Sequence, residues 1–150
     1  MAQPSRKRQP VDVLLVEDNP GDVRLTQEAL KEGTLSVNLS VASDGVEALE
    51  FLRQTGKFAA APRPALILLD LNLPRKSGRE VLSEIKNDPD LKKIPVLVMT
   101  TSTAQQDIAR AYSLNANCYI AKPLELEEFI AVVQSIEDFW LTKASLPAKP

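Results

Sequence analysis

The stretch ALILLDLNLPRKSG, Ala65 to Gly78, sets five apolar residues directly before Asp70 and follows them with a turn holding Asn72, Pro74 and Gly78. A strand this apolar belongs inside a protein, covered on both faces, as strands of parallel sheets are. A carboxylate buried at its end is costly unless something compensates its charge. The rest of the chain must therefore supply both the neighbouring strands and the compensation.

Upstream, VDVLLV (11–16) is too short for a helix and rich in Val and Leu, which predicts a buried strand. PGDVRLTQEALKE (20–32) spaces Val23, Leu25, Ala29 and Leu30 as a helix does, with Pro20 in the first helical position and Gly33 at the end. SVNLSVA (36–42) alternates, Val37, Leu39 and Val41 against Asn38 and Ser40, which predicts an edge strand with one wet face. Asp44 and Glu47 have a looser capping-box spacing and open a helix to about Gln54. TGKFAAAPRP is a loop. Downstream of Asp70, GREVLSEIKND reads as a third helix stopped before Pro89, and IPVLVMT as a fourth strand. Thr103 and Gln106 form a second capping box for a helix to about Asn115, CYIA is a fifth strand, and ELEEFIAVVQSIEDFWL is a last helix. Strands and helices alternate five times. That pattern predicts an α/β fold, a parallel sheet with helices on both faces. The expected organisation is a polar, disordered arm over 1–10, one domain over 11–142 and a tail over 143–150.

The 150 residues suit one domain, and a hydrophobic fraction of 44% with 25% charged residues is ordinary for a soluble protein. Eighteen basic residues against 20 acidic ones leave a net charge of −2, which gives no overall argument for nucleic acid or an anionic membrane. Arg6, Lys7 and Arg8 read as a solubilising arm, since no nucleic-acid-reading element accompanies them. The lone Cys118 excludes an internal disulfide and reads as a small buried hydrophobe. The chain has no histidine, which removes Ser-His-Asp and Cys-His catalysis and histidine-ligated metals. It also lacks the glycine-rich loops of ATP and dinucleotide sites. No signal peptide and no run long enough for a membrane span is present, so a cytoplasmic protein is expected.

The ends of the predicted strands carry the chemistry. The first ends in Glu17 and Asp18, the third in Asp70, the fourth in Thr100, Thr101 and Ser102, and the fifth in Lys122. In a parallel sheet these ends share one edge, where ligands bind at the point of reversing strand order. Carboxylates crowded together raise one another's pKa, and a cation resolves the conflict. With oxygen ligands alone the cation is hard, Mg²⁺ rather than Zn²⁺. Mg²⁺ keeps open positions for phosphate oxygens, which Lys122 and Thr100 are placed to meet, and a carboxylate beside it is a possible nucleophile for an aspartyl phosphate.

LLVEDNPGD, LILLDLNLPRKSG, PVLVMTTS and CYIAKPLELEEF together resemble the receiver domain of two-component response regulators, over about residues 10–140. The resemblance implies a flavodoxin-like (βα)5 fold with strand order 2-1-3-4-5. It implies that Asp70 accepts a phosphoryl group from a phosphohistidine on a partner histidine kinase. Glu17 and Asp18 match the acidic pair that holds Mg²⁺ together with Asp70, although Glu17 stands where many members have Asp. Asn72 matches the residue whose main-chain carbonyl joins the metal, Thr100 the hydroxyl that moves onto the phosphoryl group, and Lys122 the lysine that pairs with it. Pro123 matches a proline preceded by a cis bond, and Tyr119 the aromatic switch. Self-phosphorylation and autodephosphorylation are the only catalysis implied. RPALILLDLNLPRKSGREVLSEIKNDPDLKKIPVLVMTTS and the tail IEDFWLTKASLP are similar to stand-alone regulators that partner bacterial phytochromes. No output domain is expected after the receiver, so another protein must read its surface.

Each residue also has a plainer reading. Asp70 alone is equally a turn former, Glu17 and Asp18 serve to cap the first helix, where Asp18 or Asn19 can cap and serve the site together, Thr100 suits a strand, Lys122 suits a solvated surface and Tyr119 suits packing. It is their coincidence on one edge that favours phosphoacceptance. A haloacid dehalogenase-type phosphohydrolase would want a second Asp at the place of Asn72, and a never-phosphorylated adaptor would not need the acidic set. On the last helix, Leu126, Phe129, Ile130, Val133, Ile136 and Trp140 form one face, while Val132 and Phe139 fall off it. That surplus apolar area predicts a homodimer through this helix.

Overall fold

Among the described residues, the apolar runs identified in the sequence become strands, and the amphipathic stretches between them become helices. The computed structural model describes residues 11–31, 36–100, 118–122 and 125–136, with the backbone alone at Thr100, Cys118, Tyr119, Ala121 and Leu126. The elements are β1 (Val11–Val16), α1 (Pro20–Lys31), β2 (Val37–Ala42), α2 (Gly45–Arg53), β3 (Leu66–Leu69), α3 (Gly78–Asn87), β4 (Val96–Thr100), β5 (Cys118–Ala121) and α4 (Leu126–Ile136). The arm over 1–10, the helix expected over 103–115, Gly33, Pro123 and everything beyond Ile136 lie outside the described residues.

All strand pairs are parallel, in the order β2-β1-β3-β4-β5. This is the flavodoxin-like order, with β2 at the edge as its alternating pattern predicts. The order reverses between β1 and β3, so the crevice for a ligand opens there. β3 is buried along its whole length, as its apolar run requires. Side chains of successive strand residues point to opposite faces, and two cores follow. Leu14, Val16, Ile67, Leu69, Val96 and Val98 pack under α2 and α3. Val13, Leu15, Leu66, Leu68, Leu97 and Met99 pack under α1 and α4.

Local chemistry sets the helix ends. Asn19 precedes α1 and its Oδ1 accepts the N–H groups of Gly21 and Asp22, at 2.9 and 3.2 Å. The cap is therefore Asn19 and neither of the acids before it, which frees Glu17 and Asp18 for other work. Asp44 caps α2 by accepting from Glu47 N at 2.8 Å, and Glu47 Oε1 accepts from Ser43 N at 3.1 Å. Ser77 and Glu80 form a full capping box on α3.

Two expectations need adjusting. β4 begins at Val96, not Ile94, because a 3-10 turn over Leu91–Lys93 claims Ile94 through its N–H to Leu91 O at 3.0 Å. Val132 of α4 does not stand clear of the packed face. It is half-buried and packs on the same core as Phe129, Val133 and Ile136, because the buried stripe of a helix on a sheet is wide enough to include its flank. Phe139 and Trp140 fall beyond the described residues.

Candidate functional site

The pairing register builds the site. Val16 pairs with Leu69, so the next residues, Glu17 and Asp70, emerge side by side at the reversal of strand order. The backbone holds both: Glu17 N donates to Ala42 O at 3.0 Å and Asp70 N to Val16 O at 3.1 Å. Thr100 pairs with Ala121, so Lys122 follows the end of β5 at the same edge. Glu17, Asp70 and Lys122 are all buried, and Asp18 is exposed.

The Lys122 ammonium meets three carboxylates: Glu17 Oε1 at 2.5 Å, Asp22 Oδ2 at 2.8 Å and Asp70 Oδ2 at 3.3 Å. Its three N–H groups are thus all engaged. This is part of the compensation that a carboxylate at the end of β3 required. The other oxygens are also held. Asn72 N donates to Asp70 Oδ1 at 3.0 Å, and Asn19 N to Glu17 Oε2 at 3.2 Å.

Burial pushes the Glu17 carboxyl up to about 7 against the pull of its Lys122 hydrogen bond, and the nearby charge of Asp70 adds to the rise. For Lys122, burial alone would lower the pKa, but the hydrogen bonds to Asp22 and Glu17 and the charges of Asp70 and Glu17 outweigh it and hold the ammonium well above the ordinary lysine value. One ammonium among four carboxylates leaves negative charge unmatched. The donor set suits a small hard cation: Glu17, Asp18 and Asp70 each offer a carboxylate oxygen, all within 4.8 Å of one another. A divalent ion there would relieve the repulsion that raises Glu17.

Of the residues singled out in the sequence, Glu17, Asp18, Asp70, Asn72 and Lys122 come together in this crevice. Thr100 ends β4 beside Ala121, and Tyr119 lies in β5 opposite Val98; their side chains lie outside what is described. Asp22 was missed. Its place one turn into α1 after Asp18 was visible, but an acid in a first turn has an ordinary role with the helix dipole. The loop after Asp70 also has unforeseen anchors. Arg75, in a left-handed conformation at φ 66°, pairs with Asp44 Oδ2 at 3.0 Å, and Lys76 pairs with Glu84.

The model of the response regulator receiver domain matches residues 13–134. The chain belongs to this family. Over 139 residues it is 52% identical to response regulator Rcp1 of Synechocystis sp., covering 93% of this chain and 95% of Rcp1. The crystal structure of the Mn²⁺-bound form of Rcp1 superposes with a TM-score of 0.89, at 52% identity over 93% of this chain and 100% of Rcp1's. The phosphorylated cyanobacterial phytochrome response regulator RcpA gives a TM-score of 0.91 at 51% identity, with 93% and 100% covered. As a receiver-domain response regulator, the chain is a signalling protein.

Proposed function

We propose that this protein is a phosphorylation-operated switch in which Asp70 accepts a phosphoryl group from the phosphohistidine of a partner histidine kinase. The observation that carries the reading is the meeting of Asp70, Glu17 and Lys122 at the reversal of strand order. An Asp70 oxygen attacks phosphorus in line, the new O–P bond forms as the P–N bond to the donor imidazole breaks, and the imidazole keeps that bonding pair. The chain has no histidine, so the donor is another protein.

Glu17, Asp18 and Asp70, with the main-chain carbonyl of Asn72, are the residues that would hold Mg²⁺. When bound, Mg²⁺ screens the charge between carboxylate and phosphoryl group. The Asn72 N–H fixes the rotation of the Asp70 carboxylate, so the nucleophile is positioned before the donor arrives. Lys122 supplies a positive charge beside the Asp70 carboxylate, at 3.3 Å from its Oδ2. Thr100 closes on the phosphoryl group, Tyr119 turns inward, and the surface of β4, β5 and α4 changes for a reader. The relatives support a kinase of the phytochrome type, since RcpA is a phytochrome response regulator. They support divalent-metal binding too, since Rcp1 binds Mn²⁺. The receiver unit spans 11–142, flanked by an arm over 1–10 and a tail over 143–150, works in the cytoplasm, and pairs with a second copy through the last helix of the sequence, which includes Phe139. Neither nucleic acid nor a membrane is a partner.

A phosphohydrolase is disfavoured because Asn72 replaces the acid–base Asp two residues past the nucleophile, and an amide transfers no proton. The test is incubation with Mg²⁺ and acetyl phosphate, read by intact mass. Wild type is expected to gain one phosphoryl group and Asp70→Asn none. A wild type that gains nothing, or an Asp70→Asn variant that gains as much, overturns the reading.

A further inference from the structure

Lys122 does not sit midway among its acceptors. It is 2.5 Å from Glu17 and 2.8 Å from Asp22 but 3.3 Å from Asp70, so the ammonium leans toward α1. Of these three carboxylates, Glu17 is committed to the metal and Asp70 to the phosphoryl group. Asp22 alone has no other partner to serve in the reaction. It lies at the rim, with a side chain 24% exposed. Its own backbone is fixed, with its N–H on the Asn19 cap and its carbonyl accepting from Thr26 Oγ1 at 2.8 Å.

We propose that Asp22 is a positioning residue for phosphoryl transfer: it keeps hold of the Lys122 ammonium when Glu17 turns to the metal, so that the other N–H groups stay aimed at the phosphoryl oxygens. This rests on the reading of Asp70 as phosphoacceptor. Without Asp22, an ammonium that lost Glu17 would have no fixed acceptor on the α1 side. The long lysine stem would then sample many rotamers, and the charge would be positioned only part of the time. Asp22 therefore acts through Lys122 and touches no reacting atom. The plainer alternative is that Asp22 merely steadies the first turn of α1. A helix role would act equally whether or not a lysine is present, and a positioning role would vanish with the lysine.

The test is a double-mutant cycle on the full chain with Asp22→Asn and Lys122→Gln. The Asn variant leaves the backbone bonds of Asp22 in place. Acetyl phosphate with Mg²⁺ is the phosphodonor: Asp70 oxygen bonds to phosphorus, the P–O bond to acetyl breaks, and acetate leaves with the pair. The maximal rate at saturating donor is expected to fall about tenfold in Asp22→Asn, the size of losing one charge-assisted hydrogen bond. In the Lys122→Gln background the same change should cost less than about twofold. Calorimetric titration with Mg²⁺ alone provides a second readout. Lys122→Gln removes a cation that competes for Glu17 and Asp70 and should strengthen binding, whereas Asp22→Asn should weaken it, and by less in the Lys122→Gln background than in wild type. An equal rate loss in both backgrounds overturns the proposal, as does a wild-type rate in Asp22→Asn. If wild type itself takes up no phosphoryl group, the phosphoacceptor reading fails first and this one falls with it. A wild type that is phosphorylated beside an uncoupled cycle refutes the positioning role alone.

Discussion

Glu17 shows what it costs to seat a second carboxylate against the buried Asp70. Its carboxyl titrates near 7 instead of 4.5, because burial and then the charge of Asp70 oppose ionisation more than Lys122 favours it. A carboxyl whose folded pKa lies above its unfolded one binds its proton more tightly in the folded state. The stability it contributes is complete below pH 4.5 and is lost as the pH rises through about 7. Metal-free protein should therefore lose stability from this group between about pH 5 and about pH 8, and Glu17→Gln should lack that component. Saturating Mg²⁺ should remove it from wild type by taking the proton's place. Urea denaturation across this range measures both, and parallel wild-type and variant profiles would contradict the account. That Glu17 and Asp18 meet Asp70 was readable in the sequence as acids at strand ends. That Asp22 joins them was not, because a first-turn acid announces nothing until its distance to a lysine a hundred positions away is known.

Among the elements, the loop from β3 to α3 carries a tight constraint. α3 starts so close to Asp70 that a Cβ on Gly78 would stand 2.2 Å from Asp70 O and 2.5 Å from Leu71 Cα. Gly78 N also donates to Leu71 O at 3.0 Å. These are backbone atoms that no rotamer change can clear, so Gly78→Ala must shift Asp70 or the start of α3. The variant is expected to lose about 1–3 kcal/mol of stability in urea denaturation, typical of forced overpacking. It should also phosphorylate more slowly than wild type at saturating acetyl phosphate. An unchanged midpoint and rate would show that the contact is slack. The sequence marks Gly78 as a turn residue and hides this reason, since the crowding comes from Asp70 eight residues earlier. The S-x-x-E spacing of Ser77 and Glu80 is a capping-box signal that the reading of the sequence passed over, and the structure forms the full box there. The Arg75–Asp44 pair spans 31 positions and carried no local signal.

For the whole molecule, the parallel sheet and the location of the site were legible because parallel βα units gather strand ends on one edge, while the strand order came only with the receiver resemblance. The apolar runs in β1, β3 and β4 and the alternation in β2 decided the rest. Less legible was the outer face of α4, where Val132 counts as surplus by spacing yet packs on the core with Val133. The dimer proposal accordingly rests more on Phe139 than on Val132. Sedimentation at micromolar concentration is expected to show a dimer that Phe139→Glu dissociates; a wild-type monomer would remove this part of the account. Which residue takes the phosphoryl group decides whether this chain is such a switch. The direct measurement is to phosphorylate wild type with acetyl phosphate and Mg²⁺, reduce the acyl phosphate with borohydride, and map the product by peptide mass. Homoserine is predicted at position 70, and reduction at Asp18 or Asp22, or nowhere, would contradict it.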